Sequence, residues 1–200
     1  MSKCALVAAS LAALSLSWFV VRSQSSSVDA GTAVRMEIED LVREAELVVE
    51  GRVLAAQPRR DERGQVRTAY TISVQRTYVG QPLGTRQIEL PGGVMPDGSG
   101  TIIPGSPKLD VGEDALLFVS AQSPDGLRVP VGLAQGKFRV VRDENGALVL
   151  ARTQVDLVLV DPRTGAATPA LGSTTFDYYA VVSRIETAAA AKLRTPVEGR

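Results

Sequence analysis

From Val66 to Tyr78 the chain alternates with little interruption. Val66, Tyr70, Ile72, Val74 and Tyr78 fall on one side, while Arg67, Thr71, Ser73, Gln75 and Thr77 fall on the other. A period of two over that length fits a half-buried β-strand and not a helix. A strand with one apolar face must bury it against further strands or a helix, so the chain is committed to a sheet.

The rest of the pattern agrees. Leu47, Val49, Val53 and Ala55 alternate with Glu50 and Arg52, which predicts a strand from Leu47, with Gly51 as a bulge or bend. Residues 57–65 (QPRRDERGQ) read as a polar hairpin tip. Arg59 and Arg60 there suggest a phosphate site, but Asp61 and Glu62 follow at once and favour a solvated turn. Residues 86–90 form a short strand, 115–119 (ALLFV) a strand buried on both sides, and 128–131 another short strand. Asn145-Gly146 joins strands at 137–141 and 147–151 as a hairpin. Residues 155–160 add an edge strand, and 161–173 are a loop. Helical spacing appears twice, over 36–46 and over 175–193. The expected fold is mainly β with two flanking helices. It is a small OB-like, partly open β-barrel over residues 31–194, with a β-sandwich as the alternative and 195–200 as a frayed tail.

The first thirty residues have a different character. Lys3 precedes an uncharged run from Cys4 to Val21, then Arg22 and a serine-rich stretch, with small residues at Val28 and Ala30. This is the layout of a signal peptide cleaved after Ala30, or of an uncleaved anchor spanning residues 4–21. Both place the domain outside the cytoplasm, periplasmic or secreted in the first case and membrane-anchored in the second. The remaining chain has no cysteine, histidine or tryptophan. It must therefore hold together by packing without disulfides. Lack of histidine removes serine–histidine and cysteine–histidine catalysis and histidine-ligated zinc. The 22 basic and 22 acidic residues balance, which argues against a nucleic-acid partner. No metal or cofactor is expected.

Several landmarks recur in a known order: Ala45 to Val53, Tyr78-Val79-Gly80, Pro91-Gly92-Gly93, Pro104-Gly105-Ser106-Pro107, Gly112-Glu113 before Leu116-Leu117-Phe118, and Gly132 to Phe138 (GLAQGKF). The chain resembles a group of exported bacterial proteins of unassigned function that carry these PGG, PGxP, GE-LLF and GLxQGKF landmarks. The resemblance covers residues 37–142 and implies an extracytoplasmic setting without a known activity. A more distant similarity is to netrin-like (TIMP-type) domains, through Ala45 to Val53 and Gly112 to Phe118. It implies an OB barrel. The cysteines of that family are absent here, so its protease-inhibiting mechanism does not carry over.

Residues 91–113 hold six glycines and four prolines, and a long loop of this kind is more often functional than a short one. The candidate ligand-binding residues are Gly92, Gly93, Asp97, Ser106, Lys108 and Glu113, joined by Gln135 and Lys137 from the GLAQGKF segment. The leading expectation is an exported, non-enzymatic binding or accessory domain that presents loop 91–113 to an extracytoplasmic protein or envelope component. One alternative is an exported hydrolase using Asp110 with Glu113, or a serine with Lys108 or Lys137. The other is a structural envelope protein.

Overall fold

The computed structural model describes residues 30–170 and 172–194. The expected leader, up to residue 29, and the tail at 195–200 lie outside the described residues. The domain is mainly β with two α-helices, and its sheets do not close into a barrel.

Strand β1 (Gly31–Val34) leads into helix α1 (Ile38–Glu44). There follow β2 (Leu47–Arg60), β3 (Val66–Val79), β4 (Thr85–Pro91), β5 (Gly93–Val94), β6 (Gly100–Thr101) and β7 (Asp114–Val119). A short 3-10 helix at Leu133–Gly136 precedes β8 (Lys137–Arg142) and β9 (Leu148–Thr153). The chain continues through β10 (Leu157–Val160), β11 (Ala167–Ala170) and β12 (Ser173–Asp177) into helix α2 (Tyr178–Arg194). Seven strands form one sheet in the order β12-β9-β8-β7-β2-β3-β4, with every neighbouring pair antiparallel. β1, β10 and β11 form a second sheet, in which β1 runs parallel to β10. β5 and β6 make a two-stranded ribbon.

Alternation along β2 and β7 sorts the core into two sides of the large sheet. Val48, Leu116 and Phe118 face α1 and α2, together with Phe138, Leu150, Val181, Val182 and Ile185. Leu47, Val49, Ala115 and Leu117 face the other way and pack with Tyr70, Ile72, Ile88, Leu90 and Leu109. β2 and β3 each run for 14 residues, and their pairing slips at three places, one of them between Glu50 and Gly51. A Cβ on Gly51 would overlap the Ser73 carbonyl oxygen, so glycine is what permits the bend there.

α1 buries Ile38, Leu41 and Val42 and starts with a reciprocal cap between Glu37 and Asp40. α2 begins on Asp177, whose carboxylate accepts the Ala180 amide at 2.7 Å. At its far end, Lys192 donates to the carbonyls of Val42 (3.1 Å) and Arg43 (2.9 Å), which are among the unpaired acceptors at the end of α1.

Some sequence expectations need correction. The polar tip at 57–65 is shorter than its composition suggests, because β2 continues to Arg60 and β3 starts at Val66. Residues 128–131 contribute an isolated bridge, Val119 to Pro130, and no strand. The final helix begins three residues after Thr175, because Ser173–Asp177 pairs with β9 first. The loop at 161–173 contains β11. β10 is not an edge strand. It is the middle of the small sheet, between β11 and β1.

Candidate functional site

The 91–113 segment consists of two parts. The first is a projecting ribbon. Gly92 and Gly93 have φ of 87° and 140°, a region that favours glycine. The Gly92 amide donates to the Val66 carbonyl at 2.8 Å, and the Gly92 carbonyl accepts the Thr68 hydroxyl at 2.7 Å. A Cβ on Gly93 would overlap the Thr68 Oγ1, so protein atoms already fill the space beside it. The ribbon turns at 95–99. There Asp97 accepts the Ser99 amide (2.9 Å) and hydroxyl (2.6 Å), bonds that hold its carboxyl below the ordinary range. The Ser99 hydroxyl also accepts a bond from Arg60 at 2.8 Å, which ties the ribbon to the β2–β3 hairpin. Beside these clamps, Val94 is 59% exposed and Ile102 is 83% exposed.

The second part, residues 103–113, lies against the body. Leu109 is buried in the core, and the Gly105 carbonyl accepts the Ala134 amide at 2.9 Å. The Ser106 amide closes a turn onto the Ile103 carbonyl at 3.0 Å. Glu113 immediately precedes β7. The β7–β8 register sets Lys137 opposite Leu117 and Arg139 opposite Ala115, so two cations on one face of β8 reach the same carboxylate. Lys137 Nζ lies 2.8 Å from Glu113 Oε1, and Arg139 Nε lies 3.3 Å from Oε2. Lys137 also donates to the Lys108 carbonyl at 2.8 Å, and Glu113 Oε1 accepts the Asp110 amide at 3.0 Å. Lys108 forms an exposed pair with Asp110 at 2.9 Å, and that lysine holds the Asp110 carboxyl below its usual range.

The structure therefore gathers three of the sequence candidates, Lys108, Glu113 and Lys137. It leaves Asp97 at the ribbon tip and Gly92 and Gly93 at its base. Gln135 is 1% exposed and fully used. Its Oε1 accepts the Met36 amide at 2.9 Å, and its Nε2 donates to the carbonyls of Val34 (2.8 Å) and Gly132 (3.1 Å). It staples the β1–α1 connection to the 3-10 helix.

This arrangement suits anchoring better than proton transfer. An acid catalyst needs a carboxyl with a raised pKa, whereas Asp110 is shifted downward. A lysine base needs a free lone pair, and the Lys137 amine is engaged by Glu113 and a carbonyl. Among the described residues, no three histidine, cysteine or carboxylate side chains converge in a way that could hold a metal.

Sequence reasoning missed two features. Glu50 is buried and accepts the hydroxyls of Tyr78 and Tyr178, each at 2.8 Å. Desolvation, and then the bond to this carboxylate, push both phenols above their ordinary value. The available signal was a charged residue directly after the apolar run Leu47 to Val49, whose alternation with Arg52 disguised it as a solvent-facing position. The second is a cleft of about 360 Å³ lined by Arg59, Arg60, Asp61, Glu62, Arg63, Arg67 and Asp125. Five of these lining residues fall inside the polar run read as a solvated turn, and nothing local announces a concavity.

No protein-family model matches the chain, and no curated protein is similar enough to count as a relative.

Proposed function

We propose that this protein is an exported binding or accessory module that recognises an extracytoplasmic protein through the β5–β6 ribbon. The observation that carries the reading is the exposure of Val94 and Ile102 on a short ribbon held at its base and tip. Two exposed aliphatic side chains are unremarkable on a flexible loop. On a clamped one they form a preorganised contact whose ordering cost is already met, which favours association. A purely structural envelope role does not call for such a feature. The mutual ion pairing of Glu113 and Lys137 weighs against the hydrolase alternative.

The test is affinity capture from an extracytoplasmic fraction, with the purified protein as bait and the Val94→Ser/Ile102→Ser double variant as comparison. One partner retained by the parent and lost by the variant, with equal thermal transitions, is the expected result. The same proteins recovered on both baits would remove the ribbon as the contact. Export is checked separately by the intact mass of the protein recovered outside the cytoplasm, which should begin at Gly31 if the leader is cleaved.

A further inference from the structure

The β2–β3 turn consumes its own acid. Asp61 Oδ1 accepts the amides of Arg63 (2.9 Å) and Gln65 (2.8 Å), and Oδ2 accepts Arg67 Nε at 2.8 Å. Arg67 in addition donates to the Asp125 carbonyl at 2.7 Å. Arg59 is paired with Glu89. Of the two acidic residues that follow Arg59 and Arg60 in sequence, Asp61 is thus committed to the turn and to Arg67, while Glu62 lines the cleft.

Two guanidiniums are left over. Arg60 donates to the Gly64 carbonyl (3.0 Å) and to the Ser99 hydroxyl (2.8 Å), and among the described residues it has no carboxylate within ion-pair distance. Arg63 meets Asp125 at 3.7 Å, beyond hydrogen-bond length, and both side chains are exposed. Such a pair contributes little and yields easily to a better partner. These two and the fixed guanidiniums of Arg59 and Arg67 line the same cleft.

We propose that this cleft is a binding site for a phosphate group, with Arg60, which has no carboxylate partner, and Arg63, whose contact with Asp125 is loose, as its donors, and with Arg59 and Arg67 held beside them by their own carboxylates. A guanidinium is a planar fork of donors, and a tetrahedral dianion can accept several forks from different directions. The volume of about 360 Å³ leaves room for the group to which the phosphate is attached. The carboxylates of Glu62 and Asp125 also line the cleft and repel a dianion about twice as strongly as a singly charged anion, so binding requires that the guanidinium contacts outweigh them. The inference does not rest on the ribbon's partner, although Arg60 also bonds Ser99 at the ribbon tip.

The phosphate could be free or carried on a lipid headgroup, and the experiment separates the two. Inorganic phosphate is titrated calorimetrically into the full-length protein and into an Arg60→Met/Arg63→Met variant, at ionic strength held constant with chloride. In parallel, both proteins are sedimented with phosphatidylcholine vesicles, with and without phosphatidic acid. Saturable phosphate binding that weakens about tenfold or more in the variant supports a free ligand. Sedimentation with phosphatidic acid vesicles alone, lost in the variant, supports a headgroup. Because both side chains are exposed, the variant's thermal transition should match the parent's. If neither probe binds saturably, or if binding is equal in the two proteins, the proposal is overturned.

Discussion

Lys137 and Arg152 are both cations set into the sheet, and they should respond oppositely to the same replacement. The Lys137 side chain is 12% exposed and faces a Glu113 carboxylate that is 3% exposed. Lys137→Met would leave that carboxylate with the more exposed Arg139 as its one cation beside the Asp110 amide, and we expect a loss of about 3 kcal/mol in urea unfolding. Arg152 has no carboxylate within ion-pair distance among the described residues. Its guanidinium stacks 4.9 Å from the Phe176 ring and 5.3 Å from the Phe138 ring, and its buried Nε lacks an acceptor. Burial accordingly lowers its pKa. Arg152→Met keeps the packing and removes an uncompensated charge, so the same denaturation curve should show stability unchanged or raised. Neither outcome is visible in sequence. Each is a basic residue in a strand of the same sheet, Lys137 in β8 and Arg152 in β9, and they differ in what the rest of the fold brings beside them.

At the level of elements, the β2–β3 pair shows what local pattern can and cannot say. The Val66–Tyr78 alternation and the Gly51 bend were legible because each rests on a steric rule within a few residues. Gly51→Ala should cost about 2 kcal/mol, read as a shift of the urea midpoint at constant slope, since its Cβ would meet the Ser73 backbone and neither strand can retreat. β1 and β12 were not legible. Gly31–Val34 is too short and too small in side chains to announce a strand, and it becomes one only by pairing with β10. Ser173–Asp177 is polar and exposed apart from Phe176, and β9 decides its conformation. Of the candidate site, the Glu113–Lys137 meeting was half legible. Both residues could be named, but their contact depends on the β7–β8 register.

Across the whole molecule, ionisable groups set the pH window of stability from both ends. Asp40 is held below its ordinary value by the Glu37 amide, Asp110 by Lys108, and Asp114 by Arg52. A depressed folded pKa gives stability that is present above the unfolded value of about 4 and is lost as pH falls through the folded one. Tyr70, Tyr78 and Tyr178 are raised, chiefly by desolvation. Their contribution is complete below the unfolded value of about 10 and declines as pH climbs past it. A thermal-shift series over pH should therefore show a broad plateau with both shoulders. Tyrosinate absorbance should also rise at higher pH in the native protein than in the urea-unfolded chain. A flat alkaline limb would show that these hydroxyls are not sequestered. The parallel pairing of β1 with β10 has one further consequence. No hairpin can zip these two strands together, and during synthesis the first emerges long before the second exists. β1 must wait, unpaired, until residues 157–160 have been made, so the small sheet can close only after strands β2 to β9 have all emerged.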